Sequence, residues 1–168
     1  MIDEKDREIL SIIQGKARIS NAEVARQVGL APSAVFERIK KLESRGIVKG
    51  YEARLDPREM DLGLLAFVFV RAAEGPLGSV ELGMKLAEIP EVQEVHNVAG
   101  EDCYLLKIRA RDTEALWRLI KERLGAIKSI HSTRTTIVFQ TIKETSRLPL
   151  GGRPAAGQPV IEIKAADF

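Results

Sequence analysis

The stretch SNAEVARQVGLAPSAVFERIKKLESRG, residues 20–46, has the pattern of two helices joined by a very short turn. Ser20 and Glu23 are spaced as a capping box, in which the hydroxyl accepts one orphan backbone N–H and the carboxylate reaches back to another. Gly29 ends this helix after about two turns. Pro32 has no N–H to lose and suits the first turn of the next helix, which Gly46 ends. The spacing predicts a helix-turn-helix.

The second of these helices has one apolar and one polar face. Val35, Ile39 and Leu42 recur at spacings of four and three, the period of a buried helix stripe. The other side has small and polar residues near its start and bases further along, which suits a helix end inserted into a DNA major groove. An ordinary solvated basic face is the alternative. We predict base contacts from Ser33, Ala34, Glu37 and Arg38, and phosphate contacts from Lys40, Lys41, Lys49 and Arg54.

The residues on either side of this pair complete a small domain. Asp3 is placed to cap a preceding helix that runs to about Gln14 and ends at Gly15. Residues 47–55 predict a strand or small wing, and Asp56-Pro57 then breaks the pattern. We therefore expect a helix-turn-helix DNA-binding domain over residues 1–55 and a linker over residues 56–63.

The charge of the chain is only weakly basic, at +2 overall. Residues 1–55 contain eleven basic and eight acidic residues, a local net charge of +3. Phosphate contacts dominate affinity for nucleic acid, so one copy with this surplus should bind DNA weakly. We infer that tight binding needs two or more copies.

The composition argues against several other classes of protein. The longest apolar run, residues 64–70, is far shorter than the ~20 residues that span a membrane. The first residues are charged and lack the apolar core of a signal peptide. Cys103 is the only cysteine, which excludes an internal disulfide. A cytoplasmic protein is the simplest interpretation.

The second half of the chain predicts a different domain, over residues 64–146. Its elements follow the order β-α-β-β-α-β, which is a ferredoxin-like sheet with two helices on one face. The first strand is apolar on both sides, whereas burial on one side would give alternation. We therefore expect the open face of the sheet to pack on a second copy. The expected elements are strands at 64–70, 92–98, 103–109 and 134–142, and helices at 79–89 and 112–124.

The C-terminal tail, residues 147–168, is separate from both domains. Residues 148–159 contain three glycines and three prolines, as in a linker. Residues 160–164 have the pattern of a short strand, with a disordered end as the alternative. No function is inferred for the tail.

Several motifs in both halves resemble the Lrp/AsnC (leucine-responsive, or feast/famine) family of transcription regulators, over about residues 3–145. The resemblance implies a winged helix-turn-helix joined to an amino-acid-sensing ferredoxin-like domain. It also implies dimers that often assemble into tetramers or octamers. The motifs are Asp3-x-x-Asp6-x-x-Ile9-Leu10, Glu23-Val24-Ala25 before Val28-Gly29-Leu30, Ser33-x-Val35-x-x-Arg38-Ile39-x-x-Leu42-Glu43, Gly46-Ile47-Val48-x-Gly50-Tyr51, Val98-Ala99-Gly100 and Tyr104-Leu105-Leu106.

The same resemblance implies an effector site near the turn between the second and third strands of the sheet. Backbone N–H groups at a glycine turn can take an α-carboxylate, and a nearby acid can take the ammonium. Many members have an aspartate where this chain has Cys103, and the acids here come one and two residues earlier. Solvated turn residues are the alternative for these acids. The effector residues we expect are Gly100, Glu101, Asp102, Cys103, Tyr104, Thr135 and Thr136.

Two other functions fit the same two-domain pattern. One is an enzyme resembling the sirohaem decarboxylases, for which His96 and His131 are the available histidines. The other is an architectural protein that wraps DNA with little sequence preference. The sequence has no phosphate-binding loop, metal-ligand spacing or nucleophile–base motif. We therefore predict a regulator that binds double-stranded DNA and an amino acid or related metabolite, and that is not an enzyme and needs no cofactor or metal.

Overall fold

The structure is a computed structural model that describes residues 2–73, 75 and 78–150. The chain forms two compact units. Of the described residues, 2–53 and 145–150 belong to one unit, and those between 54 and 144 belong to the other. The strand expected at residues 160–164 lies outside the described residues. No helix in the described part of the chain is long and apolar enough to cross a membrane.

The first unit contains three helices, α1 (Glu4–Gly15), α2 (Asn21–Val28) and α3 (Pro32–Ser44). Their inward stripes pack into one core that includes Ile9, Val24 and Val35, each fully buried. Pro32 begins α3 as expected, and Gly29 ends α2 in the left-handed conformation, with φ +69°. The helix-turn-helix prediction is confirmed.

The helix caps differ from the prediction in one detail. At α2, the Ser20 hydroxyl accepts the Glu23 N–H at 3.2 Å, but the Glu23 carboxylate is held by Arg26 and Gln27 instead of reaching back. The reciprocal capping box forms at α1, where Asp3 and Asp6 each accept the other's backbone N–H. Arg26, one turn later, binds the Glu23 carboxylate in place of the Ser20 backbone N–H, because a charged donor is stronger than a neutral one.

The strand expected over residues 47–55 does not form. The N–H groups of Ile47 and Val48 donate to the carbonyl of Leu42 at the end of α3, so they belong to the helix terminus. Residues 49–56 are exposed and have no strand partner among the residues that the structure describes. A strand requires a neighbour for its backbone groups, and local sequence alone does not provide one.

The second unit is a four-stranded antiparallel sheet with strand order β2-β3-β1-β4. This is the predicted ferredoxin-like arrangement. The last strand begins at Ile130, four residues earlier than expected. It lies at the edge of the sheet and its side chains are mostly polar, so no alternation of apolar and polar residues marks where it begins. The elements are β1 (Leu64–Ala72), α4 (Val80–Ala87), β2 (Val92–Asn97), β3 (Tyr104–Ala110), α5 (Thr113–Leu119) with a π-helical turn at Ile120–Leu124, and β4 (Ile130–Ile137).

The two faces of the sheet differ. Alternate residues of β1 and β3, such as Val68 and Leu106, are fully buried in one core with Leu82 and Leu86 of α4. The residues between them point to the opposite face, because strand side chains alternate. There Phe67 and Phe69 are only half-buried. An apolar strip therefore lies on the face that the helices do not cover.

Candidate DNA-binding and effector sites

Helix α3 presents most of the predicted DNA-contacting residues on one exposed side. Ser33, Glu37, Lys40 and Lys41 are exposed, and Ala34 is half-buried. On the other side, Val35 and Leu42 are buried in the unit. The preceding Ala31 offers no side chain to cap the helix, so the first N–H groups of α3 stay available to an anion such as a DNA phosphate.

Arg38 is directed toward α1. Its guanidinium donates to Asp3 Oδ2 at 2.6 Å and to Asp6 Oδ1 at 2.7 Å. Asp6 is buried, with 8% of its surface exposed. The N–H of Asp6 and then the Arg38 guanidinium hold the pKa of Asp3 below its usual value. Arg38 therefore connects α3 to the start of α1, away from the place expected for a base contact.

The other two predicted phosphate-contacting residues follow α3. Lys49 is exposed in the irregular segment after α3. Arg54 belongs to the second unit, where its guanidinium donates to the backbone carbonyl of Glu144 at 3.0 Å.

The turn between β2 and β3 contains both predicted acids, each already paired with an arginine. Gly100 has φ +134°, a conformation that favours glycine. Glu101 accepts from Arg71 at 2.9 Å, and Asp102 accepts from Arg134 at 3.1 Å. Two carboxylates and two guanidinium groups therefore meet at one end of the sheet.

The sequence reasoning missed Arg71, Arg134 and Phe69, which the fold brings to this turn. The Arg134 guanidinium lies 3.9 Å from the centroid of the Phe69 ring, a cation–π contact. Phe69 and Arg134 are paired across β1 and β4. Only the register of these two strands reveals that arginines from both meet the turn, and no local pattern contains that information.

Cys103 and Tyr104 lie in the core, not on the turn surface. Cys103 is fully buried, and its Sγ lies 3.2 Å from the Gly75 carbonyl and 3.3 Å from the Ala72 N–H. The Tyr104 hydroxyl donates to the Ser79 carbonyl at 2.6 Å. These two side chains bind the backbone carbonyls of Gly75 and Ser79, which precede α4.

Thr135 and Thr136 are not brought to the turn within one chain. They pair with Val68 and Phe67, whereas the turn end of β1 pairs with Thr133 through Val70. At about 3.4 Å per residue, the two threonines are roughly 7–10 Å further along the strand. Because neighbours on a strand alternate, they also point to opposite faces of the sheet.

The histidines of the enzyme alternative do not form a cluster. His96 Nε2 lies 3.1 Å from Glu94 Oε2 on the exposed face, and His131 is exposed on β4. His96 first, and then Lys107, lowers the pKa of Glu94. In the described part of the chain, no three His, Cys, Asp or Glu side chains are grouped as metal ligands.

Comparison with known proteins assigns a class to both units. The family model of the winged helix-turn-helix DNA-binding domain matches residues 2–49. The family model of the Lrp/AsnC ligand binding domain matches residues 65–148. The leucine-responsive regulatory protein of Escherichia coli K12 is 37% identical over 153 residues, covering 90% of this chain and 93% of that protein.

Solved structures give the same result. A transcriptional regulator of Neisseria meningitidis in complex with L-methionine has a TM-score of 0.84 and 31% identity, covering 90% of this chain and 98% of that one. A feast or famine regulatory protein of M. tuberculosis, also with L-methionine, has a TM-score of 0.81 and 32% identity, covering 88% and 99%. E. coli AsnC has a TM-score of 0.77 and 27% identity, covering 88% and 98%.

The fold and these matches define a helix-turn-helix transcription regulator with a ligand-binding domain. The chain belongs to the Lrp/AsnC family, as its motifs predicted. The matched relatives are named as regulators, and the absence of enzymatic activity stays a prediction.

Proposed function

We propose that the protein binds double-stranded operator DNA with the N-terminal half of α3 in the major groove. The observation that supports this is the exposed side of α3, opposite its buried stripe and next to an uncapped helix start. Ser33, Ala34 and Glu37 lie near bases in this proposal. Lys40, Lys41 and Lys49 hold phosphates, and Arg54 remains a further candidate for phosphate.

For Arg38 we propose a role different from the base contact that the sequence predicted. With its guanidinium held by Asp3 and Asp6, it sets the position of α3 relative to α1. We therefore assign Arg38 as a positioning residue for the reading helix.

The DNA-binding proposal is tested by selecting bound fragments from a random duplex pool. Two α3 helices of one dimer should select a pseudo-palindrome with half-sites 10–10.5 bp, about 34–36 Å, apart. Broad, periodic protection of every fragment in a footprint would instead favour the DNA-wrapping alternative.

The effector is proposed to be an amino acid that binds at the turn of residues 100–102. The turn offers both charges that a zwitterion needs, carboxylates for the α-ammonium and guanidinium groups for the α-carboxylate. Phe69 adds an apolar surface beside Arg134. Two structurally similar regulators were solved with L-methionine, which makes methionine the first ligand to test.

A thermal-shift screen of the twenty amino acids tests the effector proposal. A ligand at about 100 times its Kd should stabilise the fold by about 2.7 kcal/mol. No shift with any amino acid at millimolar concentration would rule out this class of effector.

Self-association is proposed to use the sheet face opposite the helices. Phe67 and Phe69 form an apolar strip there, and a second copy would cover it. Pairing two copies also compensates for the small basic surplus of one DNA-binding unit. Dimers, and the tetramers or octamers expected from the family resemblance, are distinguished by sedimentation with and without methionine. The cytoplasmic location stays a prediction.

A further inference from the structure

The second unit contains a cavity of about 460 Å³ at the end of the sheet where β1 begins and β4 ends. Gly63 and Leu65 line it on the β1 side, and Val138 and Phe139 line it after β4. The turn of residues 100–102 lies at the other end of β1, beyond Val70. Pockets of about 300–1,000 Å³ hold small molecules, so the cavity is large enough for a metabolite.

Three arginines from two different segments line this cavity. Arg54 and Arg58 come from the segment before β1, and Arg109 comes from β3. Arg54 donates to a neutral partner, the Glu144 carbonyl. Arg58 uses its backbone N–H to bind Asp56, and its guanidinium has no acceptor among the residues that the structure describes. Within the described part of the chain, neither guanidinium therefore donates a hydrogen bond to a carboxylate.

Glu144, one of the two carboxylates that line this cavity, already binds nearby cationic side chains. Glu144 Oε2 takes a hydrogen bond from Arg109 at 3.0 Å, and Lys107 donates to Glu144 Oε1. Lys107 first, with Arg109 and Arg54 adding to it, holds the pKa of Glu144 below its usual value. The lining side chains of Arg54, Arg58 and Arg109 outnumber those of Asp56 and Glu144. The cavity is therefore cationic even with both of its own carboxylates counted.

We propose that this cavity is a second ligand site, which takes a small anionic metabolite with carboxylate or phosphate groups. Arginine forks match both groups in a bidentate geometry, and the unpartnered Arg58 is the first contact. Gln140 and Thr141 supply neutral hydrogen-bonding groups at the rim. Glu144 competes with the ligand for Arg109, so it lowers the affinity of the cavity for the ligand. Bound anion joins the segment of Arg54 and Arg58 to the sheet.

The test is calorimetry and thermal shift on the full chain, with citrate and inorganic phosphate as separate probes. Sodium chloride at matched ionic strength is the reference for both. We expect saturable binding of at least one probe, and which one binds decides between carboxylate and phosphate. Arg58→Gln should weaken binding about tenfold, the usual effect of losing one charged hydrogen bond. Glu144→Gln should tighten binding, because it removes the internal competitor.

Two matched variants keep the result specific to the cavity. Arg123→Gln removes the same charge from an exposed position outside the cavity and should bind like the unaltered protein. Lys41→Gln tests whether the probes bind the DNA-contacting helix instead, and it should also have no effect. Any shift with methionine should be the same in Arg58→Gln, because that site is at the other end of the sheet. Unsaturable binding, equal loss in Arg123→Gln, or loss in Lys41→Gln would overturn the proposal.

Discussion

Arg38 of α3 donates to Asp6 of α1 at 2.7 Å, and Asp6 is buried. The same guanidinium donates to Asp3, the residue that caps α1. One side chain therefore joins the first turn of α1 to the middle of α3. Because the partner carboxylate is largely removed from water, removing one member of this pair costs more than breaking an ordinary surface ion pair.

Breaking this pair should weaken DNA binding without changing its salt dependence. Arg38→Gln and Asp6→Asn should each cost about 1–2 kcal/mol of stability and lower the affinity for DNA. If Arg38 only positions α3, the slope of log affinity against log salt stays constant, because no phosphate contact is lost. Fluorescence anisotropy across a salt series measures both quantities.

Combining Arg38→Gln with Asp6→Asn distinguishes a positioning role for Arg38 from a direct contact with DNA. A positioning role predicts that the double variant is little worse than Arg38→Gln alone, because that variant already removes the contacts with both Asp3 and Asp6. A direct phosphate contact would lower the slope by about one unit in Arg38→Gln, and Asp6→Asn would then strengthen binding. That pair of results would show that Arg38 contacts DNA directly.

Replacing Lys41 should change the salt dependence of DNA binding, whereas replacing Arg38 should not. It is exposed on α3 and should contact phosphate, so Lys41→Ala should weaken binding to all sequences alike and lower the salt slope by about one unit. Lys85→Ala on α4 is the matched control, an exposed helix lysine in the other unit. An unchanged affinity and slope in Lys41→Ala would contradict the proposed docking of α3.

Arg134 should control the affinity for an amino acid. Its guanidinium lies beside both Asp102 and the Phe69 ring, so Arg134→Gln should reduce binding of methionine about tenfold or more. Thermal shift against methionine concentration gives the dissociation constant. Arg118→Gln, on the exposed side of α5, is the control and should bind normally. Equal binding by both variants would move the effector site away from residues 100–102.

Replacing Tyr104 should lower the stability of the fold without changing the affinity for the effector. Its hydroxyl donates to the Ser79 carbonyl inside the core, so Tyr104→Phe should lower the free energy of unfolding by about 1 kcal/mol. Chemical denaturation measures this loss. Gly78→Ala should cost more, because an added Cβ would lie 2.6 Å from the Tyr104 ring at a φ of +60°. A changed methionine affinity in Tyr104→Phe would support the effector-binding role that the sequence predicted for Tyr104.

The stability contributed by Glu23 should depend on pH. Arg26 first, and then Gln27, lowers the pKa of its carboxyl to about 2 from an ordinary 4.5. A lowered folded-state pKa stabilises the fold above the unfolded value and loses that effect as pH falls through the folded value. The difference in melting temperature between the unaltered protein and Glu23→Gln should therefore shrink from pH 4.5 to about pH 2. A difference that is constant over this range would contradict the pairing of Glu23 with Arg26.

The candidate sites were only partly predictable. The side of α3 that carries Ser33, Glu37 and Lys41 is exposed as predicted, because the buried stripe fixes the opposite face of a helix, and its contact with DNA stays a prediction. Thr135 and Thr136 were expected near residues 100–102, but the register of β4 leaves them further along the strand. Cys103 was expected at the surface of the turn, but it is fully buried, and its Sγ contacts the backbone of Ala72 and Gly75.

Local sequence by itself determined the helices, the residues at most of their N-caps and the β-α-β-β-α-β order. Periodicity, glycine and proline positions and N-cap residues act within a few residues of each other, so they can be read along the chain. Only the tertiary structure decided that Arg38 faces Asp6, that Arg71 and Arg134 meet the turn acids, and that three arginines line one cavity. Each of these depends on strand register or helix packing, which joins residues about 30 or more positions apart and leaves no local pattern.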